Sequence, residues 1–151
     1  MKTASARTIA LRTALAATLA ASGYIHAQLY ITGYRYIHVI GVMFLLQASA
    51  SFAIAALLLI GDPPLIRLAA AGAAGGALTG FAASRTTGVF GFVERGLQPS
   101  PQSLQSILVE TATLLLLAPA LIRTLRRLRA SRRQDLSGPR RSSGRWASRP
   151  R

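Results

Sequence analysis

The sequence predicts an all-α protein, a four-helix transmembrane bundle followed by a disordered, basic C-terminal tail. Three observations predict it. Apolar residues make up 51% of the 151 residues and only 4 are acidic, and the charged fraction of 15% falls short of the roughly one quarter usual in a soluble domain. Four stretches approach the roughly 20 apolar residues that a helix needs to cross a bilayer. The positive charge is also localised. From Arg123 to Arg151 stand eleven arginines and one acid, Asp135, while the preceding residues hold seven basic and three acidic groups. The net charge of +14 is therefore mainly a property of the tail.

In chain order, residues 1–12 form a short N-terminal segment with Lys2, Arg7 and Arg12. The first span covers about 13–31. Its basic flank and small residues resemble a signal peptide, but Arg12 interrupts the pattern and the apolar run continues past Tyr24, so an uncleaved span is expected. The second span, 37–60, contains no Asp, Glu, Lys or Arg and would reach about 36 Å as a helix. "GDPPLIR" then breaks the chain with a glycine, an aspartate and two prolines. The third span, 68–84, is rich in Ala and Gly and extends to Phe92 if Arg85 snorkels. Two further prolines interrupt "GFVERGLQPSPQS", and Ser103 is the expected N-cap of the fourth span, 103–122, with Pro119 bending its last turn. Period-2 alternation is absent, which argues against strands. Residues 123–151 begin as a continuation of span four and then become Ser/Gly/Pro/Arg-rich, a composition that favours disorder.

Orientation follows from the basic residues. Lys2, Arg7, Arg12, Arg67 and the tail share one side of a four-span topology; Arg35, Arg85 and Arg95 lie on the other. The expectation is a multi-pass protein of the cell membrane with both termini cytoplasmic. Arg123, Arg126, Arg127, Arg129, Arg132 and Arg133 are then placed to meet anionic lipid headgroups. Nucleic acid is a poor fit, since the tail lacks interleaved aromatics apart from Trp146.

The chain has only two histidines, and both fall in "HAQLYITGYRYIHVIG", residues 26–41. "ITGYRY" reads as the outer turn between spans one and two, with Gly33 in the turn and Tyr24, Tyr30, Tyr34 and Tyr36 near the interface. Ser22, His26 and Tyr30 recur every four residues and share a helix face. On span four, Ser103, Ser106, Glu110 and Thr113 do the same. By helical rise His26 and Glu110 lie at comparable depth from the same side, about 8 and 10 Å in. Ionisable residues within a span are functional candidates by default, and a polar clasp that sets helix register is the alternative. The expected outer-side polar pocket comprises His26, Tyr30, Tyr34, Arg35 and Glu110. Gln47, with Ser51 deeper on span two, is expected to hydrogen-bond between helices. Gly72, Gly76 and Gly80 on span three, beside a row of Gly75, Thr79 and Ala83, suit close helix packing or a homo-oligomer interface.

The run "HAQLYITGYRYIHVIGVMFLLQ" and the four-span layout resemble a set of small uncharacterised integral membrane proteins common in actinobacteria. These share an HxxLYxxGYRxIxxxGxxFLLQ-like stretch, matched here at His26, Leu29, Tyr30, Gly33, Tyr34, Arg35, Ile37, Gly41, Phe44, Leu45, Leu46 and Gln47. The "FGFVE" around Glu94 and the position of Glu110 are also similar, while His38 stands where many of those relatives carry proline. The resemblance covers about residues 10–122 and implies a location and a fold, not an activity. The layout is also similar, at the level of fold, to DoxX-like proteins.

No cysteine is present, which excludes disulfides, thiolate metal sites and Cys nucleophiles. No dinucleotide, P-loop, HExxH or GxSxG motif occurs, and no nucleophile has a base beside it. Gly75-Gly76 lacks the strand that a phosphate loop needs. A non-enzymatic partner subunit or small-ligand binder is the first expectation. The alternatives are a haem- or metal-binding redox protein with His26 and His38 as ligands, and a proton or ion pathway through His26 and Glu110. No motif names a cofactor.

Overall fold

Each apolar stretch is a helix in the computed structural model, which describes residues 2–137. Helix α1 spans Lys2–Thr32, α2 His38–Ile60, α3 Pro64–Arg85 and α4 Gln102–Ser137, with a single 3₁₀ turn at Tyr34–Tyr36. All four contain a segment long and apolar enough to cross a membrane: Ala6–Thr32, His38–Ile60, Pro64–Arg85 and Gln102–Arg123. These are the helices of a multi-pass membrane protein. Among the described residues there is no strand, only an isolated bridge between Val89 and Phe92.

The boundaries of α1 and α3 differ from expectation in three places, each for a local reason. Helix α1 already begins at Lys2, because Ala-rich sequence propagates a helix as readily through polar as through apolar positions. Helix α3 begins at Pro64, four residues before the expected span, since proline is well suited to the first turn, where no backbone donor is needed. It ends at Arg85 and does not run on to Phe92. Gly88, at φ +80, turns the chain there, and a Cβ at that position would stand 2.9 Å from Val93 Cγ2.

Helix α4 starts at Gln102, so Ser103 is not its cap; the Ser103 hydroxyl instead donates to the Gln98 carbonyl at 2.8 Å. The chain divides into two compact units, residues 1–118 and 119–151. In the second, Pro119 stands inside the helix, the Arg123 Nε donates to the Pro119 carbonyl at 3.0 Å, and Arg123, Arg126 and Arg129 are exposed. The rest of the basic tail, residues 138–151, and the side chains of Arg127, Arg132 and Arg133 lie outside the described residues.

Helices α1 and α2 form the most intimate pair. Leu15 and Leu19 of α1 and Leu58 of α2 are fully buried. Gly23 allows the close approach of α1 to α2, and Gly41 lets the 3₁₀ turn pack against the start of α2. The ring of Phe52 lies 3.1 Å from where a Cβ of Gly23 would stand, and a Cβ on Gly41 would meet the Tyr34 carbonyl oxygen at 2.7 Å. The α3 row is different: at Gly72, Gly75, Gly76 and Gly80 a Cβ would meet nothing within 4 Å. Within one chain these glycines therefore bring no helix backbone close. Gly76 and Gly80 instead leave open space in the wall of a cavity.

At the end of the bundle that carries the α2–α3 turn, Arg12 donates from Nε to Leu58 O at 3.0 Å and from Nη2 to Leu59 O at 2.9 Å. It thereby satisfies carbonyls that the end of α2 leaves without partners. Asp62, in the turn, pairs with Arg67, and that hydrogen bond holds the Asp62 carboxyl below the usual carboxylate range.

Candidate functional site

A cavity of about 300 Å³ lies in the half of the bundle nearest the α1–α2 turn and the α3–α4 connector. Its walls are mostly apolar. Tyr34 and Phe44 stack with ring centroids 4.3 Å apart, Phe92 meets Tyr34 edge-on at 5.9 Å, and His26 is tilted against Phe44 at 5.5 Å. The open face of α3 at Gly76 and Gly80 completes one side. Aromatic rings and glycines together shape the space, since the rings hold it open and the missing side chains leave it empty.

Residues 86–101 cover the cavity and are fastened by one arginine. Val89 and Phe92 exchange two backbone hydrogen bonds of 2.9 Å around a turn with positive φ at Phe90 and Gly91, the pattern of a tight two-residue hairpin. Glu94 then donates its backbone N–H to Ser84 O at 2.9 Å. Its carboxylate takes Arg85 at 2.8 Å on Oε2 and the Tyr34 hydroxyl on Oε1. Arg85 also donates from Nε to Gly96 O at 3.1 Å, from Nη1 to Ser84 Oγ at 2.6 Å, and from Nη2 to Gln98 O and Ser103 Oγ. A guanidinium has five N–H donors, and all are used here. Arg85 is a strut for the connector, with nothing left for a ligand. Burial, then the Glu94 hydrogen bond, pushes the Tyr34 phenol above its ordinary range, so it stays protonated and continues to donate.

Beneath the cavity a line of polar groups joins all four helices. Ser22 of α1 donates to Glu110 Oε1 of α4 at 2.5 Å. Ser22 Oγ is 3.5 Å from Ser51 Oγ of α2, and Gln47 Nε2 is 3.5 Å from the same Ser51 oxygen. Gln47 Nε2 also donates to Ala73 O of α3 at 3.1 Å. Ser22, Ser51 and Glu110 are each 0% exposed. A carboxylate at a helix centre costs about 2.5 to 3.5 kcal/mol on an insertion scale, and a hydrogen bond to a charged group returns about 1.5 to 3. The hydrogen bond offsets much of that cost, but Oε2 has no hydrogen-bond partner and a buried unpaired atom adds to it, so Glu110 does not stabilise the fold. One turn deeper, Thr113 Oγ1 lies 2.9 Å from Thr18 Oγ1, a further link between α4 and α1.

The expected pocket residues are distributed as follows. His26 and Tyr34 line the cavity. Glu110 does not, but reaches His26 through Ser22, whose carbonyl accepts from His26 Nδ1 at 2.9 Å while its hydroxyl binds the carboxylate. Tyr30 is only partly buried and is not in the cavity wall. Arg35 is exposed, donating to Tyr36 Oη at 2.5 Å and lying over its ring; the 3₁₀ turn carries it away from the bundle. Arg85 and Glu94 occupy the place that sequence reasoning assigned to Arg35 and Glu110. A signal for them existed: one of only four acids in the chain sits nine residues after an arginine at a span end, across a Gly-containing turn.

Gln47 lines the cavity as well as bridging helices, and Ser106 lines it too. His38, the first residue of α2, is exposed and outside the cavity wall, so the two histidines do not converge there. Among the described residues no group of three His, Cys, Asp or Glu could hold a metal ion. Comparisons with protein families, curated proteins and solved structures return no match.

Proposed function

We propose that this chain is a non-enzymatic protein of the cell membrane, with both termini cytoplasmic, that binds a small apolar ligand in the cavity of its outward half. The observation that carries this reading is the cavity itself. Its volume of about 300 Å³ is at the lower end of ligand sites. It combines aromatic walls with a few polar groups, and it is partly covered by a connector whose polar contacts are internally satisfied. The basic-residue asymmetry supports the orientation. The exposed Arg123, Arg126 and Arg129 suit contact with anionic headgroups. The proposed kinship with small four-span proteins carrying the HxxLYxxGYR-like stretch agrees with the same picture, in which Tyr34, Gly41, Phe44 and Gln47 of that stretch shape the cavity or the turn above it.

Two measurements test this. With no native cysteine, a Thr32→Cys chain should react with a membrane-impermeant maleimide on intact cells; reaction only after lysis would reverse the orientation. For the cavity, propylbenzene should bind saturably to the full chain in nanodiscs, read as a concentration-dependent rise in Tm beyond its partition into empty discs. Gly76→Leu should weaken that binding at least tenfold. It places a side chain in the cavity wall where a Cβ meets nothing within 4 Å and raises helix propensity by about 1 kcal/mol, so the fold is expected to survive. Equal binding by both chains would refute the cavity as the ligand site.

A further inference from the structure

The two cavity groups whose unused atom the geometry fixes are both acceptors. Arg85, Glu94 and Tyr34 are occupied with one another and with the connector. His26 and Gln47 line the cavity deeper in, and in both the geometry decides which atom remains. A backbone carbonyl can only accept. The 2.9 Å contact between His26 Nδ1 and Ser22 O therefore requires a proton on Nδ1, and in a neutral imidazole the other nitrogen, Nε2, is then an acceptor. By the same reasoning the Ala73 carbonyl, 3.1 Å from Gln47 Nε2, fixes the amide with nitrogen toward α3 and leaves Oε1 as an acceptor. Neither His26 Nε2 nor Gln47 Oε1 has a hydrogen-bond partner among the described residues. Ser106 adds a hydroxyl that adapts to either role, so the selectivity is set by the two fixed acceptors, His26 Nε2 and Gln47 Oε1.

We infer that the cavity selects lipophilic molecules that carry a hydrogen-bond donor, such as a phenol or an alcohol, and that it disfavours equally apolar molecules that can only accept. The inference rests on the ligand-binding reading above and sharpens it to a chemical class. Its physical basis is an asymmetry. A donor pairs with an acceptor that is otherwise unsatisfied, whereas an ether oxygen placed there leaves two acceptors facing each other with no proton between them. Leaving a buried polar group unpaired costs about 1 to 3 kcal/mol, which corresponds to roughly a 5- to 150-fold difference in affinity. The stacked Tyr34–Phe44 pair and the Phe92 edge offer flat faces that suit an aromatic ring, so a phenol is the appropriate probe.

The test uses the full chain in nanodiscs with 4-propylphenol and its methyl ether 4-propylanisole, each corrected for partition into empty discs. The phenol is expected to bind the unmodified chain at least about fivefold more tightly than the ether. In His26→Phe the preference should fall to within about threefold, and in Gly76→Leu binding of both should be lost. If the ether binds as tightly as the phenol while Gly76→Leu abolishes both, the cavity stands and the donor preference is overturned. If neither probe binds saturably, or Gly76→Leu binds both as the unmodified chain does, the ligand-binding reading falls and this inference with it. The phenol-to-ether ratio on the unmodified chain decides the matter even if His26→Phe does not fold.

Discussion

Gly41→Ala should destabilise the protein by about 3 kcal/mol, the upper end for overpacking of a close contact, while Gly33→Ala should change stability by less than about 0.5 kcal/mol. The two glycines are eight residues apart, Gly33 at the start of the 3₁₀ turn and Gly41 in the first turn of α2, and their surroundings differ. A Cβ at Gly41 would stand 2.7 Å from Tyr34 O, 3.0 Å from Arg35 Cα and 3.2 Å from Arg35 O. All three atoms are backbone, so no side chain can swing aside and the turn itself must move. At Gly33 a Cβ meets nothing within 4 Å, and φ of −179 is extended backbone open to any residue. Reversible unfolding in mixed detergent micelles would measure both. Because Tyr34 carries the hydroxyl that binds Glu94, Gly41→Ala should also weaken propylbenzene binding. Equal stability of the two variants would mean that the turn does not hold α2 against α1.

Arg85→Leu should cost about 3 kcal/mol and make residues 86–101 sensitive to added protease. Breaking a buried ion pair by removing one partner costs about 3 to 5 kcal/mol. Side-chain exposures of 14% for Arg85 and 21% for Glu94 place this pair toward the lower bound, because Glu94 can turn partly to water. The loss extends beyond the pair, since Gly96 O loses its donor and Gln98 O keeps only the Ser103 hydroxyl. Glu94→Gln should be milder, because its remaining oxygen still accepts from Tyr34. Combining Arg85→Leu with Glu94→Gln should cost less than the sum of the two by more than 1 kcal/mol, the signature of direct coupling. Strict additivity, with the connector still protected from protease, would remove Arg85 from its role as fastener.

How much of this was legible in the sequence depends on the range of the interaction involved. The four helices were readable because a chain crossing lipid has almost no other way to satisfy its backbone, and length plus hydropathy then suffices. The shared depth of His26 and Glu110 was readable from helical rise alone. Which groups meet at that depth was not, because it depends on the rotation of each helix about its axis. Ser22 was visible on the His26 face, but that it would lie between the histidine and the carboxylate required the position of α4. Arg35 looked like the natural cation for the pocket by proximity in sequence. A three-residue turn reversed its direction, and Arg85, fifty residues later, took its place. The glycine row on α3 followed a genuine packing pattern, but spacing cannot say whether a partner backbone is present, and here the close contacts fall at Gly23 and Gly41.

The polar line from Glu110 to Ala73 has a consequence for charge movement. Each hydroxyl in it points its hydrogen toward the carboxylate, Ser22 to Glu110 and Ser51 to Ser22, so protonation of Glu110 would reorient both. The next member is a carboxamide, whose nitrogen gives up a proton far less readily than any hydroxyl, and beyond it stands only a main-chain carbonyl. Conduction by hopping along this line therefore stops at the second helix. Among the described residues the thread runs sideways, from α4 through α1 and α2 to α3, and so ties the rotation of each helix to that of its neighbours.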